Sequence, residues 1–264
     1  MLESILVYDA PDAIGLNIGV VAQYLSDLLQ SMTVQTRTDF FTHHLGQFDL
    51  AQVDVLTEEV AARLEEREVH DLVAPDRRDD LPPERPEDRE LGTVYRAEPL
   101  QDVMRTLLPQ DERDGYLHIV YITQCIGHWE AGRDRFRLQI IQHGQPSIIS
   151  TTGFVEVPAL PREYAFRRAH LLGFGMEEAA AELDERFAHR ALAHGDERIT
   201  QVATGFALQA LFKRLFDEEG CDDPSCPLHS AATHDELAAA HLSGDSGLCD
   251  RHLKMLIQAR RKGN

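Results

Sequence analysis

Lysine is nearly missing from this 264-residue chain: of 26 basic residues only Lys213, Lys254 and Lys262 are lysine, and the rest are arginine. Basic charge is itself in deficit, with 45 acidic residues and a formal net charge of −19. A polyanion partner needs a concentrated positive footprint, so this balance argues against nucleic-acid binding. Arg260-Arg261-Lys262 is the one strongly basic run along the sequence, and it reads as a solvated tail. Long apolar runs are missing too. None approaches the ~18 residues of a membrane span. The opening Met1-Leu2-Glu3-Ser4-Ile5 has no basic segment and soon meets Asp9 and Asp12, unlike a secretory leader. No membrane association and a cytoplasmic location are therefore expected.

Cysteine is scarce and unevenly spread. Cys125 stands alone, whereas Cys221, Cys226 and Cys249 fall near the end of the chain. In a reducing compartment, clustering of this kind favours metal over disulfide.

What is present is enough apolar residue, 43% of the chain, to build a core. Ile5–Tyr8 predicts a short buried strand, followed by a helix on which Ile18, Val21, Leu25 and Leu28 share a face. A second strand is expected at 32–36 and a helix at 57–72, so residues 1–74 read as a β-α-β-α unit. Residues 75–90 are charged and rich in proline, a composition that cannot offset its ordering entropy, and predict a linker or exposed loop. Beyond it, residues 100–108 predict a short helix and Tyr116–Ile122 a strand rich in β-branched and aromatic residues. Residues 135–142 and 147–152 predict a hairpin, with 154–158 continuing extended. The remainder reads as helical. From 197 to 216 apolar residues wrap most of the circumference, which predicts a buried central helix. The expected fold class is α+β, with residues 91–220 as the core and 221–264 as a C-terminal segment.

Directly after that helix stand Cys221 and Cys226 in a C-x4-C loop, and further on Cys249 and His252 in a C-x2-H pair. Zn²⁺ takes four tetrahedral N/S ligands, and two closely spaced pairs on separate turns supply them. Cys221, Cys226, Cys249 and His252 thus predict one closed structural zinc per chain. His229 is held as the reserve fourth ligand.

This pattern resembles the second half of the archaemetzincin signature, in which HExxHxxGxxH is followed by C-x4-C and then C-x2-C. The strand LHIVYI, the stretch RFRLQIIQHGQPSIIS and the helical tail are also similar to that family in order. PSIISTTGFVEVPALPREY looks like prokaryotic proteins of unassigned function classed with metallopeptidases. The resemblance covers residues 91–264 and implies a zincin-like mixed sheet with a long buried helix and a zinc-bound C-terminal segment.

The first half of the signature is degenerate. Its three histidines would fall on Ala210, Arg214 and Gly220, its glutamate on Leu211 and its glycine on Asp217; Leu228 stands at its methionine. A catalytic zinc needs three protein ligands, an open position and a base, and none of these groups is present. The resemblance therefore implies one structural zinc, no conventional peptidase centre, no catalytic residue to name, and a cleft that binds a peptide or protein segment along an edge strand.

Two other readings stay open. One is a hydrolase whose metal is held by His170, His189 or His194 with Glu163, Glu185 or Asp196, or whose nucleophile is Cys125 beside His128 and Glu130. The other is an interaction module that docks through the zinc segment.

Overall fold

The computed structural model describes residues 2–30, 32–46, 94–130, 135–218, 220–243 and 247–263. The helix expected at 57–72 and the segment 75–90 lie outside the described residues.

The first strand, β1 (Ser4–Tyr8), is buried at every position, as befits a strand covered on both faces. Helix α1 (Ile18–Leu29) follows, its first turn capped by the Asn17 side chain, which accepts from the Val20 N–H. Strand β2 (Thr33–Arg37) returns parallel to β1, and α2 (Phe40–Leu45) is capped by Asp39. Next come β3 (Val94–Arg96), α3 (Ala97–Leu107), β4 (Tyr116–Ile122), β5 (Cys125–Glu130) and β6 (Arg135–Gln139). The short β7 (Ile141–Gln142) and β8 (Ser147–Ser150) complete the strands. The helical part then runs through α4 (Gly153–Glu156), α5 (Arg162–Gly173), α6 (Glu177–Phe187), α7 (Ile199–Phe216), α8 (His234–His241) and α9 (Asp250–Gly263).

Five strands form one sheet in the order β2-β1-β4-β8-β7, parallel except for β7. Ile5 stands opposite both Val34 and Leu117, so β1 is inserted between β2 and β4. Strands β1 and β2 of the N-terminal segment thereby share one sheet with β4, β8 and β7. A second sheet, β3-β5-β6, pairs β3 parallel and β6 antiparallel with β5.

Strand alternation sends two sets of side chains to opposite faces. Ile5, Val7, Leu117, Ile119, Tyr121 and Ile149 join the core that contains α1 and α7. Leu6, Tyr8, Val120, Ile122 and Ile148 join Phe40 of α2 and Leu100, Met104 and Leu107 of α3. The result is a mixed α and β architecture with the sheet as the middle layer.

Helix α7 is buried along most of its length, as its apolar circumference predicts. The Tyr121 hydroxyl donates to the Ala203 carbonyl at 2.8 Å, which ties the helix to β4. Phe154 stacks on Phe206 with centroids 5.3 Å apart. Fully burying one such side chain contributes about 2–3 kcal/mol.

Two local expectations are corrected. The hairpin is shorter than its sequence run: β6 leaves for the second sheet, and only Ile141–Gln142 pairs back with β8. Residues 153–156 are helical rather than extended, because Ser150 Oγ accepts the Gly153 N–H and turns the chain, and Phe154 is then drawn under α7. No helix among the described residues is long and apolar enough to cross a membrane.

Candidate metal centre and the cleft beside the long helix

The loop that leaves α7 carries Cys221 and Cys226; Cys249 immediately precedes α9, and His252 lies in that helix's first turn. Folding brings all four together, with their ligand atoms within 4.8 Å of one another. Among the described residues this is the one group of three or more His, Cys, Asp or Glu side chains so placed. Cys221 Sγ lies 3.8 Å from Cys249 Sγ, and Cys226 Sγ lies 3.5 Å from His252 Nδ1. Zn–S bonds of about 2.3 Å and Zn–N bonds of about 2.0–2.1 Å in a tetrahedron require edges of about 3.8 Å between sulfurs and about 3.6 Å between sulfur and nitrogen. Those two edges match. The Cys249 Sγ–His252 Nδ1 edge is shorter, at 3.1 Å. Three sulfurs and one imidazole are a donor set that structural zinc sites use.

The surroundings fit the same ion. The Asp223 N–H points to Cys221 Sγ at 3.4 Å. His252 turns Nδ1 inward and Nε2 toward the Glu218 carboxylate, 3.9 Å away, and Glu218 is paired with Arg251. At that distance His252 Nε2 makes no hydrogen bond, so the carboxylate behind this imidazole is a loose neighbour only. Burial lowers the pKa of His252, which keeps the ring neutral as a ligand must be. Burial likewise pushes the Cys226 thiol up and the Cys221 thiol up to about 12. For Cys249 burial also acts upward, but hydrogen bonds to its sulfur outweigh it and the net shift is downward. Cys249 also stands at the N-terminus of α9, where the helix dipole favours an anion.

His229 takes a different part. Its Nδ1–H donates to the Cys221 carbonyl at 2.8 Å, and Gln209 of α7 donates to the Pro227 carbonyl at 3.0 Å. Both contacts hold the loop rather than the cluster's centre.

The remaining sequence candidates are not brought together. Cys125 and His128 are three apart on β5 and so project to opposite faces of the strand. His194 faces Glu156 at 3.1 Å, and His170 packs edge-on against Phe174. The His189 side chain lies outside the described residues. Ser147 and Ser150 donate to the Gly144 and Gln124 carbonyls, which accounts for both hydroxyls structurally.

Along α7, Ala210, Arg214 and Asp217 line a cavity of about 810 Å³, while Leu211 is fully buried. These are the positions at which HExxHxxGxxH would place a histidine, a histidine, the glycine and the glutamate. Asp217 ends the helix in the left-handed region, φ 55°, the conformation a glycine would adopt most easily there. At the two positions of that signature's first histidines this helix carries the buried methyl of Ala210 and the guanidinium of Arg214.

One polar cluster was not legible in the sequence. Tyr8 at the end of β1 meets His44 of α2 and His118 of β4, each at 3.0 Å, and Arg37 at the end of β2 donates to the same hydroxyl at 2.9 Å. Arg37 is in turn bidentate to Glu112. Its members are separated by up to 110 residues, and only the parallel register of β1 with β2 and β4 unites them.

A mixed sheet, a long buried helix and a Cys3His cluster directly behind it define a metallopeptidase-like protein with a candidate zinc centre. The chain belongs to the family described as "Probable metallopeptidase family (DUF6775)", whose model matches residues 1–259. Among solved structures, the archaemetzincin from Methanopyrus kandleri is similar at 13% identity and a TM-score of 0.46, over 99% of this chain and 96% of that one. No curated protein matches the chain.

Proposed function

We propose that this is a zinc-stabilised member of its metallopeptidase family that binds through its cleft without hydrolysing. One Zn²⁺ per chain, on Cys221, Cys226, Cys249 and His252, would fasten the C-terminal segment to α7 and supply folding energy. The observation that carries the reading is the environment of α7. Ala210 and Leu211 are 1% and 0% exposed, so neither a metal ligand nor a water-activating carboxylate occupies the stretch where the signature requires both. A peptide or protein segment is the ligand class proposed for the cleft. The loop 143–146 on its wall continues from β7, one of the two edge strands of the main sheet, and an edge strand can accept an added strand. Three thiols kept available for metal suit a reducing compartment, and a cytoplasmic location is proposed on that ground.

The deciding experiment is metal analysis of the purified chain paired with a protease assay. One zinc per chain, lost from Cys249→Ser, with no chelator-sensitive proteolysis, supports the reading. Two zinc ions per chain, or cleavage abolished by o-phenanthroline, overturns it.

A further inference from the structure

The cavity beside α7 carries the opposite sign to the molecule that surrounds it. Four cationic side chains line it, Arg105 from α3, Arg113 before β4, and Lys213 and Arg214 from α7, against two carboxylates, Asp114 and Asp217. The whole chain carries −19. At physiological ionic strength charges beyond about 8 Å are largely screened, so an entering group responds to this wall and not to the net charge.

How the cations are held matters more than their number. Lys213 pairs with Asp217 at 2.7 Å, and Arg105 pairs with Asp102 while donating through Nε to the Gln145 carbonyl at 3.0 Å. Arg113 and Arg214 differ. Arg113 donates from Nε to the Leu108 carbonyl at 3.0 Å, and Arg214 donates from Nη2 to the Asp114 carbonyl at 2.6 Å. Backbone carbonyls fix a guanidinium in place without neutralising it. The wall itself is braced: the Gln145 amide donates to the Arg113 carbonyl at 2.9 Å and the Tyr116 carbonyl at 3.1 Å, which joins the loop 143–146 to the segment before β4. A guanidinium has five donors in a planar fork, and each of these two arginines spends only part of that set.

We infer that this cavity binds a multiply charged oxygen anion, gripped by Arg113 and Arg214, with Lys213 and Arg105 supplying further positive potential. Preorganised guanidiniums suit phosphoryl and carboxylate oxygens alike, because both accept paired N–H donors. Such a group can arrive as a phosphoryl moiety of a small molecule or as the acidic side chains of a peptide. The inference rests on the reading of the cleft as a binding site. Zinc content and proteolysis decide that reading, whereas anion affinity decides this one.

Titration calorimetry on the zinc-loaded full chain tests it with two probes, inorganic pyrophosphate and a short polyglutamate peptide, at matched ionic strength. At least one probe is expected to bind at millimolar concentration or below, and to weaken as salt rises. Arg113→Gln and Arg214→Gln should each weaken it roughly 10-fold, the usual scale for losing a charge-assisted hydrogen bond. Lys213→Gln, which alters only a partly exposed side chain, should weaken it less but measurably, and it serves if the arginine variants fold poorly. Arg167→Gln, on the exposed face of α5, should leave the affinity unchanged. Binding of pyrophosphate alone assigns a phosphoryl ligand, and binding of polyglutamate alone assigns an acidic peptide. Binding of neither probe, or equal affinity in the cleft variants and Arg167→Gln, overturns the inference.

Discussion

Tyr8 Oη stands 3.0 Å from His118 Nδ1, and this contact fixes the proton inventory of the buried cluster around it. His118 Nε2 faces the Glu112 carbonyl at 2.8 Å, which can only accept, so the ring proton sits on Nε2 and Nδ1 is the acceptor. Tyr8 therefore donates its single hydroxyl proton to His118. His44 Nε2 must then donate to the Tyr8 oxygen, which also accepts from Arg37. His118 can accept at Nδ1 only while its ring is neutral, and a proton on the buried, unpartnered Nδ1 of His44 would find no acceptor, so both imidazoles rest neutral. Burial accounts for that, lowering the pKa of His118 and bringing His44 down to about 4.

Acid lability follows. In the unfolded chain His44 takes up a proton below about pH 6.5, and in the folded chain only below about pH 4. Between those values the unfolded state binds more protons, so stability falls as pH drops through this window and is insensitive to this group above it. The gap corresponds to at most ~3 kcal/mol. Urea midpoints measured from pH 7.5 to 4 should decline for the wild type, and the decline should be shallower for His44→Gln. Parallel profiles for the two proteins would contradict the assignment.

Removing the hydroxyl is more damaging than its single atom suggests. Tyr8→Phe leaves His118 Nδ1, His44 Nε2 and one Arg37 donor without their shared partner, in a site where Tyr8, His44 and His118 are fully buried. A loss of about 2–4 kcal/mol is expected from chemical denaturation, since each orphaned buried group costs about 1–3 kcal/mol. A change under ~0.5 kcal/mol would show that the three partners re-pair.

Metal removal should act on the C-terminal segment. Cys221→Ser and Cys249→Ser each delete a thiolate from the cluster, and the bound-metal content should drop to near zero with a melting temperature lower by about 10 °C or more, because structural zinc contributes its binding free energy to folding. His252→Ala should behave likewise. His229→Ala should keep its zinc and lose only about 1 kcal/mol, because its ring bonds to the Cys221 carbonyl and is not among the four clustered donors. Zinc retained in Cys249→Ser and lost from His229→Ala would reassign the fourth ligand.

The Cys3His cluster was legible because its members come in two local pairs, each within one turn or loop of the chain. Strand β4 and helix α7 were legible for a similar reason: a β-branched run and an apolar circumference are properties of contiguous residues. What escaped depends on separations the sequence does not display. Arg214 reaches the Asp114 carbonyl across 100 positions, so the cationic wall of the cleft is invisible in a composition dominated by acid. Residues 154–158 misled because Phe154-Val155-Glu156-Val157 favours a strand locally. Ser150 and Phe206 override that preference through one hydrogen bond and one ring contact.

Gly205 marks a close approach that composition also hides. It faces His241 of α8, whose ring stacks on Phe206 at 5.1 Å, and a Cβ placed at 205 would overlap the imidazole. Alanine gains up to ~1 kcal/mol in helix propensity but must displace a buried ring, which typically costs about 1–3 kcal/mol or more. Gly205→Ala should therefore destabilise by about 2 kcal/mol, whereas Gly173→Ala at the end of α5, with nothing near its Cβ position, should be neutral or stabilising. Calorimetric melting temperatures that fall equally in both variants would remove the packing argument.

Proteolysis provides the sharpest test of the proposal that this chain binds without hydrolysing. Leu211 is fully buried and Ala210 nearly so, and Arg214 is engaged with the Asp114 carbonyl. Water activation at α7 would require a metal held by imidazoles and a carboxylate poised as base, and removal of either kind of group costs orders of magnitude in rate. The zinc-loaded chain should cleave neither casein nor a peptide library in an o-phenanthroline-sensitive way. Restoring three side chains at once (Ala210→His, Leu211→Glu, Arg214→His) should fail as well. Gly220 still offers no third imidazole, and each new ligand would also need outer partners to orient it. That variant should also be less stable by several kcal/mol, because Glu at 211 would place a carboxylate among Phe212, Leu208 and the other side chains of the core. Cleavage by the wild type would instead send the search to His128, His170, His189 and His194, each replaced one at a time.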